Sequence, residues 1–148
     1  MTDIVSLEEA YAYYINRTYR RLRMDFLRTT REAGYELTPE QYFILNRLWH
    51  HPGQSQTDLY EDLDDRANVT RGLQILVQRW LVIKRADPDD ARRNIIDLTE
   101  QGRALLEKLN PVIVKERKRV YADLSRKDLA DLRRILGKIE ANLQSPSA

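Results

Sequence analysis

The chain has 148 residues, no cysteine and a formal net charge of +2, with 42% hydrophobic and 32% charged residues. That length suits one domain or one core with helical extensions, and the missing cysteines exclude disulfides, thiol redox sensing and Cys-based zinc sites. No apolar run approaches the roughly 18 residues of a membrane helix, and the opening MTDIVSLEEAYAYY carries acids where a secretory signal needs bases, so a cytoplasmic soluble protein without a membrane partner is expected.

Residues 6–33 read as one long helix. Leu7, Tyr11, Tyr14, Thr18, Leu22 and Phe26 recur at steps of three or four, and Gly34 is a stop signal. LTPEQYFILNRLW opens a second helix, with Thr38 as cap, Pro39 at the first helical position and Gln41 completing a capping box. Tyr42, Leu45, Leu48 and Trp49 form its buried face, and Pro52 and Gly53 punctuate its end. Two short helices follow. SQTDLYEDL has Ser55 and Asp58 at capping-box spacing and buries Leu59 and Leu63; RANVTRGLQILVQRWL buries Val69, Leu73, Leu76 and part of Val77. Together they make a helix–tight turn–helix of about 25 residues.

LVIKRA and RNIIDL are short β-prone runs joined by DPDDAR, which predicts a hairpin. TEQGRALLEKLNPVIVKERKRVYADL reads helical with Thr99 as cap, and Pro111 is expected to bend or break it. SRKDLADLRRILGKIEANL begins with Ser125 and Asp128 at capping-box spacing and carries the stripe Leu129, Leu132, Leu136, Ile139, Leu143. Residues 144–148 are expected to form a disordered tail.

The expected fold is therefore mainly α with a small β-hairpin wing. A winged helix-turn-helix domain over residues 37–99 is flanked by an N-terminal dimerisation helix over 1–36 and C-terminal dimerisation helices over 100–143. The terminal stripes exceed what so small a central segment can cover. Association of two chains through both ends buries them; packing of the ends on each other within one chain is the alternative.

A helix-turn-helix followed by a hairpin is the order of a winged helix, whose second helix enters the DNA major groove by its N-terminal half. Arg66, Asn68, Thr70, Arg71 and Gln74 face outward there. Arg suits guanine, Asn and Gln suit adenine, and Thr suits phosphate or a thymine methyl. Charge agrees in part: residues 58–65 hold five acids and no base, whereas residues 66–93 hold seven bases against three acids. Such a step is expected of a polyanion-facing side and equally of a solvated surface. Residues 87–93 pack three aspartates and two arginines into seven positions. Pro88 and Asp-type chemistry set the turn. Asp90 is expected to hold Arg92 or a neighbour by a charge-assisted bond, leaving the other arginine, Arg93 in that pairing, for phosphate or minor groove.

These motifs carry a resemblance. Leu37–Leu109 resembles the MarR family of bacterial and archaeal transcription regulators, in the opening LTPEQ, the run NVTRGLQILVQRWLV and the wing DPDDARRNIIDLTEQG. The resemblance implies a dimer made by the N- and C-terminal helices, with Arg71 in the recognition helix and Asp90 and Arg92 at the wing's acid and base positions. It also implies release from DNA by small aromatic anions bound between dimer helices and winged domain, here at Tyr11, Tyr14, Arg17, Tyr42 and Trp49. Core and dimer packing is the competing role for those aromatics. Four positions depart from the family pattern. Trp80 stands in place of a usual Gly; because Trp disfavours positive φ, a differently shaped helix end is expected, with the indole under the wing or in a pocket. Ala91 replaces a wing-tip Arg. Gly72 costs the recognition helix about 1 kcal/mol against Ala and invites close approach of another backbone. Ile75 removes one polar contact.

His50 and His51 are adjacent and point about 100° apart on a helix, so no metal is expected. There is no Gly-rich phosphate loop or hydrolase signature, so neither enzyme activity nor a cofactor is expected. The reading is a homodimeric, sequence-specific DNA-binding transcriptional regulator. It acts as a repressor on a pseudo-palindromic operator in double-stranded DNA and is released by a small aromatic effector. The alternative is a winged-helix protein–protein adaptor that no longer reads DNA, to which the acids of 58–65, the modest net charge, Trp80 and Ala91 lend support.

Overall fold

The computed structural model describes residues 2–144. The first expected helix is divided. Ala10 is extended (φ −89°, ψ 92°) and separates a 3-10 turn, Leu7–Glu9, from helix α1, Tyr11–Glu32. Neither Ser6 nor Ala10 supplies a side-chain cap, and the Tyr14 hydroxyl reaches back to donate to the Glu8 carbonyl at 3.1 Å. The turn therefore folds onto α1 instead of extending it. Phe26 is the one member of the expected stripe that becomes buried; Tyr11 is 77% exposed.

Helix α2, Pro39–His50, starts with the full capping box of Thr38 and Gln41. Its buried face includes Tyr42, Leu45 and Leu48 as expected, but Trp49 is exposed and Ile44 lies fully inside. Arg23 and Tyr19 of α1 both bond Glu40 of α2, at 3.1 and 3.4 Å. Burial and the Glu40 charge raise the Tyr19 phenol above its ordinary range.

Strand β1, Gln54–Ser55, leads into helix α3, Gln56–Leu63, whose capping box is Ser55 with Asp58. Asp64 closes α3 in the left-handed region (φ 49°), and Asp65 caps helix α4, Arg66–Gln78. Strands β2, Val82–Ala86, and β3, Asn94–Leu98, form the expected hairpin, in register from Val82 opposite Leu98 to Ala86 opposite Asn94. The sequence did not announce β1, which pairs antiparallel with the other edge of β3 in the order β1-β3-β2.

Helix α5, Glu100–Val120, runs through Pro111 without interruption. Proline inside a helix costs about 3 kcal/mol. Leu106, Leu109 and Ile113 are buried on either side of it, at about 1.5–3 kcal/mol each, so continuity outweighs the missing hydrogen bond. Helix α6, Arg126–Gln144, begins with both capping-box bonds between Ser125 and Asp128. Gln144, placed in the tail by sequence, is its last residue; residues 145–148 lie outside the described residues.

The chain divides after Ile113 into two compact units. In the first, Ile44, Leu45, Leu59, Leu73, Leu76, Ile96 and Leu109 are each 0% exposed. They come from α2, α3, α4, β3 and α5, so a single core supports the winged domain. In the second unit α6 buries no residue. Among the described residues, no helix is long and apolar enough to cross a membrane.

Candidate nucleic-acid interface

The exposed side of α4 carries a directed chain of polar groups. Asp65 accepts the backbone N–H of Asn68 at 3.2 Å and its side-chain amide at 2.7 Å. The Asn68 carbonyl oxygen then accepts Arg71 Nη2 at 2.7 Å. The helix cap thus steers the Arg71 guanidinium through one amide. Asn68, expected to read adenine, has both its side-chain atoms engaged in this chain. Gln74 is exposed on the same helix.

Thr70 is also engaged. Its hydroxyl donates to the Arg66 carbonyl at 2.9 Å and lies 2.7 Å from the Tyr60 hydroxyl. The Arg66 guanidinium stacks on the Tyr60 ring, 4.8 Å from its centroid. Sequence reasoning overlooked Tyr60, because it treated α3 only as a support with two buried leucines.

The wing corrects the expected role of Asp90. Its carboxylate accepts the Arg92 backbone N–H at 3.0 Å, and Asp87 does the same for Asp89 at 2.9 Å. Both acids shape the turn through the main chain, since a carboxylate two residues before an N–H closes an Asx turn more readily than it reaches a guanidinium. Arg93 pairs instead with Asp58 at the start of α3, and Arg85 of β2 donates through Nε and Nη2 to Asp97 of β3 at 3.0 and 2.9 Å. Among the described residues, the Arg92 side chain has no partner. It lines a cleft of about 310 Å³ with Thr57, Tyr60 and Arg93.

Four of the five acids of residues 58–65 have local tasks. Asp58 completes a capping box and bonds Arg93, Asp62 accepts Gln54 Nε2 at 2.6 Å, Asp64 ends α3 and Asp65 begins α4. The Asp58 carboxyl is held below its ordinary range, first by the Ser55 backbone N–H and then by the Ser55 hydroxyl and Arg93, against the opposing effect of burial.

Trp80 does adopt positive φ, +60°, against expectation. Its N–H bonds the Val77 carbonyl and that of Leu81 bonds Leu76, each at 3.0 Å, the paired bonds of a Schellman helix end. Leu76 and Leu81 are buried beside it, which holds the turn despite about 1–2 kcal/mol of left-handed strain. The indole is 73% exposed, neither under the wing nor in a pocket of this chain. The Cβ that Gly72 lacks would stand 2.7 Å from Ile44 Cδ1, so a side chain approaches there, not a backbone; backbone crowding occurs at Gly102, against the Leu81 carbonyl. Ile75 lines a separate cleft of about 320 Å³ with Leu27, Tyr35 and Arg79.

The five expected ligand residues do not form one pocket within a single chain. Tyr42 and Trp49 line a cleft of about 380 Å³ between α2 and α5, with Asn46, His50, Leu106 and Glu107. Arg17 instead lies 5.3 and 5.4 Å from the rings of Tyr13 and Tyr14, and Tyr14 bonds Glu8. The cation next to this cleft is Arg103, 5.8 Å from the Trp49 ring. Among the described residues no group of three or more His, Asp or Glu is placed to hold a metal ion.

The sequence model described as the MarR family matches residues 37–93. The chain is 30% identical over 115 residues to the uncharacterized HTH-type transcriptional regulator YdgJ of Bacillus subtilis, spanning 77% of this chain and 68% of that protein. Its fold matches that of the transcriptional repressor CouR, solved bound to a 23-mer DNA duplex, with TM-score 0.80 and 29% identity over 95% of this chain and 99% of that one. It also matches the PcaV transcriptional regulator from Streptomyces coelicolor, solved with its natural ligand, with TM-score 0.85 and 23% identity over 97% of this chain and 100% of that one. At that identity the PcaV likeness concerns the fold alone.

Proposed function

The chain belongs to the MarR family of DNA-binding transcriptional regulators, and on that premise we propose that it is a homodimeric repressor reading a pseudo-palindromic operator. The observation that carries this reading is the Asp65–Asn68–Arg71 chain, which aims a preset guanidinium outward from the N-terminal half of α4. In this reading Arg71, Arg66 and Gln74 meet base edges in the major groove. Asn68 and Thr70 hold that face in place. Arg92 meets phosphate, while Asp90 and Arg93 brace the wing that presents it. The winged domain of residues 37–99 does the reading, and residues 1–36 and 100–143 hold two copies together.

Two exposed apolar faces support the dimer. On α1, Tyr11, Ile15 and Tyr19 are 77%, 45% and 44% exposed; on α6, Leu132, Ile135 and Leu143 are 45%, 48% and 78% exposed. Two copies covering these faces gain about 25 cal/mol for each Å² of apolar surface removed from water. Two recognition helices then sit about one helical turn of DNA apart. CouR, at 29% identity, is a repressor solved on a 23-mer duplex, a length that holds two half-sites at such spacing. The adaptor reading loses part of its support, because four of the five acids of 58–65 serve as caps and ties within the fold.

The cleft between α2 and α5 suits a small aromatic carboxylate, with Trp49 and Tyr42 offering ring faces and Arg103 a charge. A ligand that binds more tightly when the two heads are wrongly spaced for DNA shifts the population away from the bound state.

Selection from random duplexes, followed by sedimentation of the protein alone, tests the proposal. The expected outcome is one enriched sequence with two-fold symmetry and a dimer at working concentration. A monomeric protein, or a pool left unenriched after selection, would sink it.

A further inference from the structure

Tyr60 lies on α3, outside the set of residues assigned to DNA, yet it touches two of them. Its ring supports the Arg66 guanidinium at 4.8 Å. Its hydroxyl sits 2.7 Å from Thr70 Oγ1 and accepts the Gln56 side-chain amide. Thr70 closes the loop by donating to the Arg66 carbonyl one turn back. One tyrosine therefore grips both ends of an i, i+4 pair on the recognition helix.

Two physical consequences follow. Arg66 is the first residue of α4, where the helix dipole disfavours a cation; its contribution is not to helix stability. A free arginine there samples many rotamers and loses them on binding, whereas one stacked on a ring has lost most of them beforehand. The Thr70 hydroxyl, by contrast, has its proton on the Arg66 carbonyl and one of its two lone pairs toward Tyr60, which leaves it no proton for a phosphate and a single lone pair for a base. We propose that Tyr60 is a positioning residue for DNA recognition, whose ring presets Arg66 toward the duplex and whose hydroxyl withholds that of Thr70. This rests on the DNA reading of α4 above.

The test is a double-mutant cycle on the selected operator, with each base pair of a half-site varied in turn. Tyr60→Leu should weaken binding about two- to five-fold and flatten the preference at the base pair that Arg66→Ala also flattens. In the Arg66→Ala background the same change should add little, because the contact it supports is already gone. Tyr60→Phe keeps the ring; it should retain the Arg66-dependent preference and alter the preference at the neighbouring base pair, where Thr70 is released. If Arg66→Ala binds like the parent, the assignment of Arg66 to DNA fails and the role of Tyr60 with it. If Arg66→Ala weakens binding and the Tyr60→Leu loss adds in full, the role of Tyr60 alone is overturned. Should Tyr60→Leu lose its cooperative unfolding transition, Tyr60→Phe decides: a profile identical to the parent at every base pair overturns the proposal.

Discussion

Arg93 Nη2 lies 2.8 Å from Asp58 Oδ2, so the last arginine of the wing turn is bound to the first turn of α3, 35 residues earlier in the chain. Asp58 is at the same time the third residue of α3 and closes its capping box with Ser55. One carboxylate thus joins helix initiation to wing placement.

That relationship has a pH signature. The folded Asp58 pKa lies below its ordinary value, so the stabilisation is complete above the unfolded pKa near 4 and is lost as pH falls through the folded one. Asp58→Ala should cost about 1 kcal/mol at pH 7. The gap between it and the parent should narrow as acidification from pH 7 toward pH 3 carries the parent carboxyl toward its own protonated form. Urea midpoints of both proteins at the two pH values measure this; a gap of constant size would contradict it.

The arginines should separate by role. Arg71→Ala is expected to weaken operator binding and relax base preference by about 1–3 kcal/mol at one position. Arg92→Ala should weaken all sequences alike and reduce the slope of log affinity against log salt by about one. Arg93→Ala, with its charge already occupied by Asp58, should change that slope less than Arg92→Ala. Equal slopes for the two wing variants in a salt titration would remove the distinction.

Trp80→Gly should stabilise the protein by about 1 kcal/mol, since it relieves left-handed strain and gives up a side chain that is 73% exposed. Thermal unfolding reads this directly. A lower midpoint would mean that the indole is covered in the assembled protein.

The two buried helical glycines should behave differently. A Cβ at Gly102 meets the Leu81 carbonyl, which is already the acceptor for the Thr99 N–H. Gly102→Ala should therefore cost about 3 kcal/mol or more. Gly72→Ala meets only Ile44 Cδ1; adding Ile44→Val removes that methyl and should recover most of its loss. Chemical denaturation of the three variants decides, and failure of the Ile44→Val rescue would place the strain elsewhere.

Ligand entry into the α2–α5 cleft is testable by fluorescence. In Trp80→Gly the remaining tryptophan is Trp49, on the cleft wall. Millimolar salicylate should quench it and dissociate the DNA complex. Arg103→Ala should weaken both effects, and Glu107→Gln, which removes a like charge from the cleft, should strengthen them. No fluorescence change at millimolar ligand would count heavily against an aromatic effector at this place.

The sequence by itself determined what depends on neighbours three or four positions apart. The capping boxes of Thr38, Ser55 and Ser125, the hairpin, the inward Val69, Leu73 and Leu76, and the outward face of α4 are all local patterns of spacing. Such bonds form wherever the local backbone is helical or extended, so their residues can be recognised in order. Tertiary structure decided the rest. Ile44 turns inward against the hollow left by Gly72, and the strain at Trp80 is held by Thr99, whose hydroxyl bonds its carbonyl at 2.6 Å across 19 residues. The partner of Arg93, the pairing of β1 with β3, the hold of Tyr60 on Arg66 and the distance of Arg17 from the α2–α5 cleft were likewise beyond sequence reasoning. Each is a choice among several chemically suitable partners, and only packing, by bringing one within reach and removing the others, makes it.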